Sequence, residues 1–198
     1  MKILKFTILV FAFQACTNNA QLDFIEATSF LEDEDNEVRV TRIEDSIQFE
    51  LTYIPVEIIA LQGSGSVEKY KDQYPSILSD YNELEYYKLV ISSLKSSTRS
   101  HLMGQFTGLS DESDAYLDLL IQKDIYFLSN ADTIRCAYMH KEVSESITNQ
   151  LNYTIAFPFS AVTRKDRTIE LKSQFMNFRN IRFVITENSI QSIPKIKI

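Results

Sequence analysis

Three rhythms of apolar and polar residues run along this chain. Over 6–13 the apolar residues follow one another almost without interruption, from 47 they alternate, and over 76–96 they recur every three or four positions. Ile47, Phe49, Leu51 and Tyr53, alternating with Gln48, Glu50 and Thr52, predict a half-buried strand that Pro55 breaks or bends. Residues 56–61 form a second apolar, β-branched run, read as another strand, and Gly63-Ser64-Gly65-Ser66 closes it with a loop. Over 76–96, Ile77, Tyr81, Leu84, Tyr87, Ile91 and Leu94 fall on one helical stripe, with Pro75 just before it and Ser76 as its cap. That predicts one long amphipathic helix lying against a sheet.

The remaining body reads as β. Residues 97–108 are polar and predict a loop, while 111–122 suits a short helix or a strand entering 125–128. Ile134, Cys136, Tyr138 and His140 then share one face of a strand, Leu151, Tyr153, Ile155, Phe157 and Phe159 share another, and 168–173 and 181–187 follow. About seven short strands with one helix inserted between them predict an α+β domain, mainly β: a two-layer antiparallel β-sandwich with one long inserted helix, over 38–198.

The first rhythm has a different meaning. Lys2 and Lys5 flank the start of an apolar run about half the roughly 20 residues needed to span a bilayer, and small Ala15 precedes Cys16. A basic start, a short apolar core and a small residue before the cut mark a secretory signal. Phe13-Gln14-Ala15-Cys16 resembles the lipobox of bacterial lipoproteins, although Phe13 and Gln14 depart from its usual leucine and small residue. The resemblance implies a signal peptide at 1–15, cleavage between Ala15 and Cys16, and lipidation of Cys16 on its sulfur and its new amine. Two or three acyl chains hold a protein to a membrane, since burial stabilises by about 0.8 kcal/mol per methylene. Residues 16–37 then read as the lipidated Cys and a flexible acidic tether with a mean span of about 25 Å.

Charge and cysteine content narrow the setting. The whole chain carries 20 basic and 27 acidic residues, a net charge of −7, and losing Lys2 and Lys5 makes it −9. That argues against nucleic acid, which demands a basic face, and against docking on anionic lipid by charge. With Cys16 lipidated, Cys136 has no disulfide partner and reads as a small buried apolar side chain.

The search for chemistry assigns no catalytic residue, no metal site and no cofactor. The acidic run Glu32, Asp33, Glu34, Asp35 and Glu37 lacks the alternation and turn glycine of a calcium loop. His101 and His140 have no metal-ligand spacing. Cys136 and His140, four residues apart on one strand, stand about 13 Å from each other, too far for a nucleophile and its base. No nucleophile elbow, dinucleotide fingerprint or zinc-protease motif is present in the sequence.

Tyr53-Ile54-Pro55-Val56-Glu57, Glu85-Tyr86-Tyr87 and Asp132-Thr133-Ile134 resemble stretches of uncharacterised lipoproteins of Bacteroidota. The resemblance implies an envelope location, the outer membrane being favoured over the inner. Surface-displayed members often carry acids just after the cysteine, where this chain has Thr17, Asn18 and Asn19. Asp45-Ser46-Ile47 and Asp132-Thr133-Ile134 also resemble the O-glycosylation sites of exported Bacteroidota proteins, implying modification at Ser46 and Thr133. The leading expectation is a non-enzymatic, membrane-anchored lipoprotein that binds a protein partner or supports an envelope assembly. An envelope enzyme would instead gather acids or His140 in a pocket, and a binder of glycan or apolar ligands would offer an aromatic-lined groove.

Overall fold

The computed structural model describes residues 21–64, 67–95, 97–105, 114–129, 132–142, 150–159, 166–173, 175–177 and 179–197. The signal segment, Ala15 and Cys16 lie outside them. Strand β1 (Gln21–Leu22) leads straight into α1 (Phe24–Glu32), which Asp23 caps: its Oδ1 accepts the Glu26 N–H at 2.9 Å, and Glu26 Oε2 accepts the Asp23 N–H at 3.0 Å. This reciprocal pair satisfies two backbone donors that a helix start otherwise leaves unpaired. Ala27 and Leu31, four apart, bury one face of α1 against Val38 and Ile58. The expected flexible tether is therefore folded from Gln21 onward. Its scattered apolar residues sit at helical spacing, a signal that the surrounding acids obscure. Within the acidic run, Asp33 caps a short 3-10 turn, Glu34–Asn36.

Strands β2 (Arg39–Glu44) and β3 (Ile47–Ile54) form a hairpin whose two loop residues, Asp45 and Ser46, have φ of 48° and 65°. Positive φ at both central positions matches the right-handed twist of the paired strands. The β3 strand is where its alternation predicts, with Ile47, Phe49 and Leu51 in the core.

The next two elements reverse the expectation. Residues 56–61 belong to helix α2 (Val56–Ser64), not a strand. The Pro55 carbonyl accepts the Ile58 N–H at 3.0 Å, so proline opens a helix here. Helix α3 (Val67–Tyr81) contains Pro75 inside it and shares only residues 76–81 with the helix expected over 76–96. Gly63 on α2 lies so near α3 that a Cβ on it would stand 2.4 Å from the Tyr81 hydroxyl.

Residues 84–93 are a strand, β4 (Leu84–Ser93), at the centre of the larger sheet. Tyr87, Leu89 and Ile91 face the sandwich core, while Tyr86 and Val90 on the opposite face are also buried. A strand covered on both faces loses its period of two, and its apolar residues then fit a helical stripe equally well. Its aromatic and β-branched composition favours the strand. The stretch read as a loop contains helix α4 (Thr98–Gln105). The ambiguous stretch is helical over Tyr116–Leu120 and Ile121–Asp124 before β5 (Ile125–Leu128).

Strands β6 (Thr133–Arg135) and β7 (Tyr138–Lys141) belong to different sheets. At the crossing, Cys136 N–H bonds to Ile125 O of one sheet at 3.0 Å and Ala137 N–H to Ala156 O of the other at 2.9 Å. The single face expected for Ile134, Cys136, Tyr138 and His140 is therefore broken between layers. Then follow β8 (Gln150–Pro158), β9 (Arg167–Leu171), β10 (Ile181–Ile185), α5 (Glu187–Gln191) and β11 (Lys195–Ile196).

Among the described residues the strands form a five-stranded antiparallel sheet in the order β2-β3-β4-β8-β7 and a four-stranded antiparallel sheet β10-β9-β5-β6. The chain is α+β and mostly β, with the two sheets packed as a sandwich. Phe127 of one sheet meets Phe157 of the other with ring centroids 5.6 Å apart. A parallel pair, β1 with β11, joins the two ends of the described chain.

Candidate functional site

The outer face of the five-stranded sheet is where sequence and register gather polar side chains in a concavity. The antiparallel register sets them in successive rows across the strands: Gln48, Ser92 and Gln150; then Glu50, Val90 and Asn152; then Thr52, Lys88 and Thr154. Each row follows from the alternation that sends Phe49, Leu51, Leu89 and Tyr153 into the core and their neighbours outward. Helices α1 and α2 stand over this face, and their Leu31 and Ile58, with Val90 and Ile54 of the sheet, supply an apolar wall. The result is an open groove of about 500 Å³, within the range of ligand sites.

Arg39 organises one side of the groove. Its Nη2 donates to Glu50 Oε2 at 2.5 Å and its Nη1 to the Glu32 carbonyl at 2.6 Å, placing a cation at the C-terminal end of α1. The hydrogen bond to Glu50 raises the guanidinium pKa, outweighing the opposite effect of partial burial, and Glu50, Glu34 and Glu32 add to the rise by charge. On the other side, Lys88 Nζ stands 3.9 Å from Glu142 Oε2, and Glu142 Oε1 accepts the Thr154 hydroxyl at 3.2 Å. Two buried polar atoms in the groove, Arg39 Nε and Asn152 Oδ1, have no hydrogen-bond partner among the described residues. Arg39 and Lys88 balance Glu32 and Glu50, so the lining carries no net charge. Glu50 is bound to Arg39, and Glu32 is exposed.

The row beyond Thr52 and Lys88 turns aromatic. Ala156 pairs with Tyr86 on one side and Tyr138 on the other, so two tyrosines flank a small buried residue. Tyr81 of α3 packs beside Tyr86 at 6.4 Å between centroids. Tyr138 and Phe159 are 45% and 57% exposed, large fractions for aromatic side chains. Phe159, Tyr86 and Ile54 help line a second concavity of about 290 Å³, and Ile54 also belongs to the polar groove.

The residues singled out from sequence lie elsewhere. Cys136 is 6% exposed, with its thiol donating to the Tyr138 carbonyl at 2.9 Å. Burial pushes its pKa up to about 11, the condition of an inert thiol. His140 pairs with Thr154 on the edge strand β7, on the same face as the groove but outside its lining. His101 lies in α4, where its Nδ1 is 2.8 Å from Ser93 Oγ. That hydroxyl also accepts the Lys95 N–H at 3.2 Å, and Thr98 Oγ1 accepts the Ser93 N–H at 2.8 Å, so the group closes the turn between β4 and α4. Ser46 is half-buried at the hairpin tip, and Thr133 is exposed at the start of β6.

Comparison of the chain with protein-family models, with curated proteins and with solved structures finds no match in any of the three. The groove thus stands on its own geometry. Its polar residues were visible in the sequence only as the outward half of an alternating strand, a pattern that any half-solvated sheet also shows.

Proposed function

We propose that this chain is a lipid-anchored protein of the bacterial envelope, held in the outer membrane by acyl chains on Cys16, whose domain binds a partner and does not catalyse a reaction. The groove on the outer face of the large sheet carries this reading, because it is concave, polar and charge-balanced. Protein interfaces centre on apolar, fully buried cores. A polar cleft with one apolar wall is the shape of a ligand site, which moves the reading from a protein partner toward a ligand that enters the cleft.

The folded α1 sharpens the anchoring. Four residues separate Cys16 from Gln21, five Cα–Cα steps that reach at most about 18 Å fully extended. Since α1 forms one rim of the groove, lipidation at Cys16 would hold the binding site close to the membrane surface.

The test is metabolic labelling of cells with a fatty-acid probe, comparing wild type with Cys16→Ala, together with a photo-cross-linking residue at Gln62 in the groove mouth. Labelling of wild type alone, and an adduct from Gln62 that a probe at Val184 on β10 does not give, support the proposal. Equal labelling of both chains removes the anchor, and equal adducts at both positions remove the groove as the binding site.

A further inference from the structure

We infer that the ligand of this groove is a neutral oligosaccharide. The inference rests on the groove being the binding site and names the class of molecule it takes.

Charge comes first. The two cations of the lining already face acids, Arg39 with Glu50 and Lys88 with Glu142. Among the described residues, a phosphate or carboxylate would compete with an acid at each cation, and a cation finds no free acid pair. What the groove offers in quantity is uncharged hydrogen bonding. Gln48, Gln150 and Asn152 each present donors and an acceptor, and Thr52 and Ser92 add hydroxyls that do both. Vicinal hydroxyls of a sugar require that mixture of donors and acceptors at short spacing. The buried, unpartnered Arg39 Nε and Asn152 Oδ1 belong to two residues that line the same cleft.

Shape agrees with this. A pyranose ring has polar edges and an apolar C–H face, and the groove sets polar rows beneath Leu31 and Ile58 of the helices, with Val90 and Ile54 as apolar positions in the sheet itself. Ile54 also lines the second concavity, the one with Tyr86 and Phe159. There an aromatic face accepts a further sugar ring, extending the site from one unit to a chain. A peptide fits less well. Extended peptides are captured by adding a strand to a sheet edge, whereas this groove lies over β3, β4 and β8, whose backbone groups are already paired on both sides.

The experiment uses the full chain, purified in mild detergent, and measures its binding to hexasaccharides of neutral glucan, xylan, mannan and galactan. Hexagalacturonate and a hexapeptide serve as the charged and peptide probes. At least one neutral hexasaccharide should bind, and Asn152→Leu and Gln150→Leu should each weaken it at least tenfold with the thermal midpoint unchanged. Phe159→Ala should weaken the hexasaccharide more than the corresponding disaccharide. No binding by any neutral probe, binding by the two leucine variants as tight as by wild type, or preference for hexagalacturonate or the peptide would overturn the inference. If the Gln62 adduct forms in cells and no hexasaccharide suppresses it, the groove remains a binding site and the saccharide assignment alone fails.

Discussion

Glu85 of β4 and Arg167 of β9 meet as a buried ion pair that ties the two sheets together, with Arg167 Nε donating to Glu85 Oε1 at 3.1 Å. The two residues are 4% and 6% exposed. Tyr87 also donates its hydroxyl to Glu85, and Arg167 reaches Glu187 of α5. Removing Glu85 takes one of two carboxylates from the buried Arg167 and the acceptor from Tyr87, a loss of up to about 3 kcal/mol, while replacing both members of a buried pair by apolar residues costs less than removing one. Urea unfolding should therefore show Glu85→Gln strongly destabilised and the double variant Glu85→Met with Arg167→Leu more stable than the single. A double variant as unstable as the sum of two singles would show that the charges do not act as a pair.

Gly63 and Tyr81 set how closely α2 and α3 approach. Alanine in a helix ordinarily gains about 0.8–1 kcal/mol over glycine, but here its Cβ would press on the Tyr81 hydroxyl. Overpacking costs about 1–3 kcal/mol, so Gly63→Ala should destabilise. Adding Tyr81→Phe removes the atom in conflict and should restore most of the loss in a thermal melt.

Helix α1 belongs to the domain through its capping box and its buried face. Asp23→Ala should cost about 1 kcal/mol. Hydrogen exchange should find the amides of 27–32 protected in the wild type and measurably faster in the variant. Rapid exchange across 24–32 in the wild type would restore the tether reading.

Cys136 should be slow to react. Its thiol pKa is raised by burial to about 11, against about 8.5 in an unfolded chain. The raised value means the folded state holds its proton more tightly, so this contribution to stability is complete below about pH 8.5 and is lost as pH rises toward 11. With Cys16→Ala excluding any unlipidated Cys16 thiol, iodoacetamide at pH 8 should label native protein many-fold more slowly than protein in urea. Cys136→Ala should flatten the fall in stability between pH 8.5 and 11.

Asp118 acts in the opposite direction. Burial alone would raise its pKa, but hydrogen bonding and charge from Lys141, joined by Arg99, hold it below the usual carboxylate range. A depressed value contributes stability above about pH 3.9 that is lost as pH falls through the folded value. The group is partly exposed, so solvent screening keeps the effect small, within about 1 kcal/mol. Asp118→Asn should reduce the acid-side slope of stability below pH 5 and leave the slope above pH 6 unchanged.

The sequence by itself determined the class of the fold and several of its strands. Alternation is a local property of a strand with one wet face, so β3 and β8 were readable from Ile47–Phe49–Leu51 and Leu151–Tyr153–Ile155, and their outward residues were necessarily polar. Tertiary structure decided the rest. Residues 84–93 became the central strand because β3 and β8 flank them, and Tyr86 and Val90 are buried on the outer face as Tyr87, Leu89 and Ile91 are on the inner, a circumstance invisible in their own period. Cys136 and His140 were separated because the chain changes sheets between them. The groove arose only when the register of β3, β4 and β8 aligned side chains up to about 100 residues apart and α1 and α2 stood over them. Local pattern states which way a side chain points, and only packing states what it meets there.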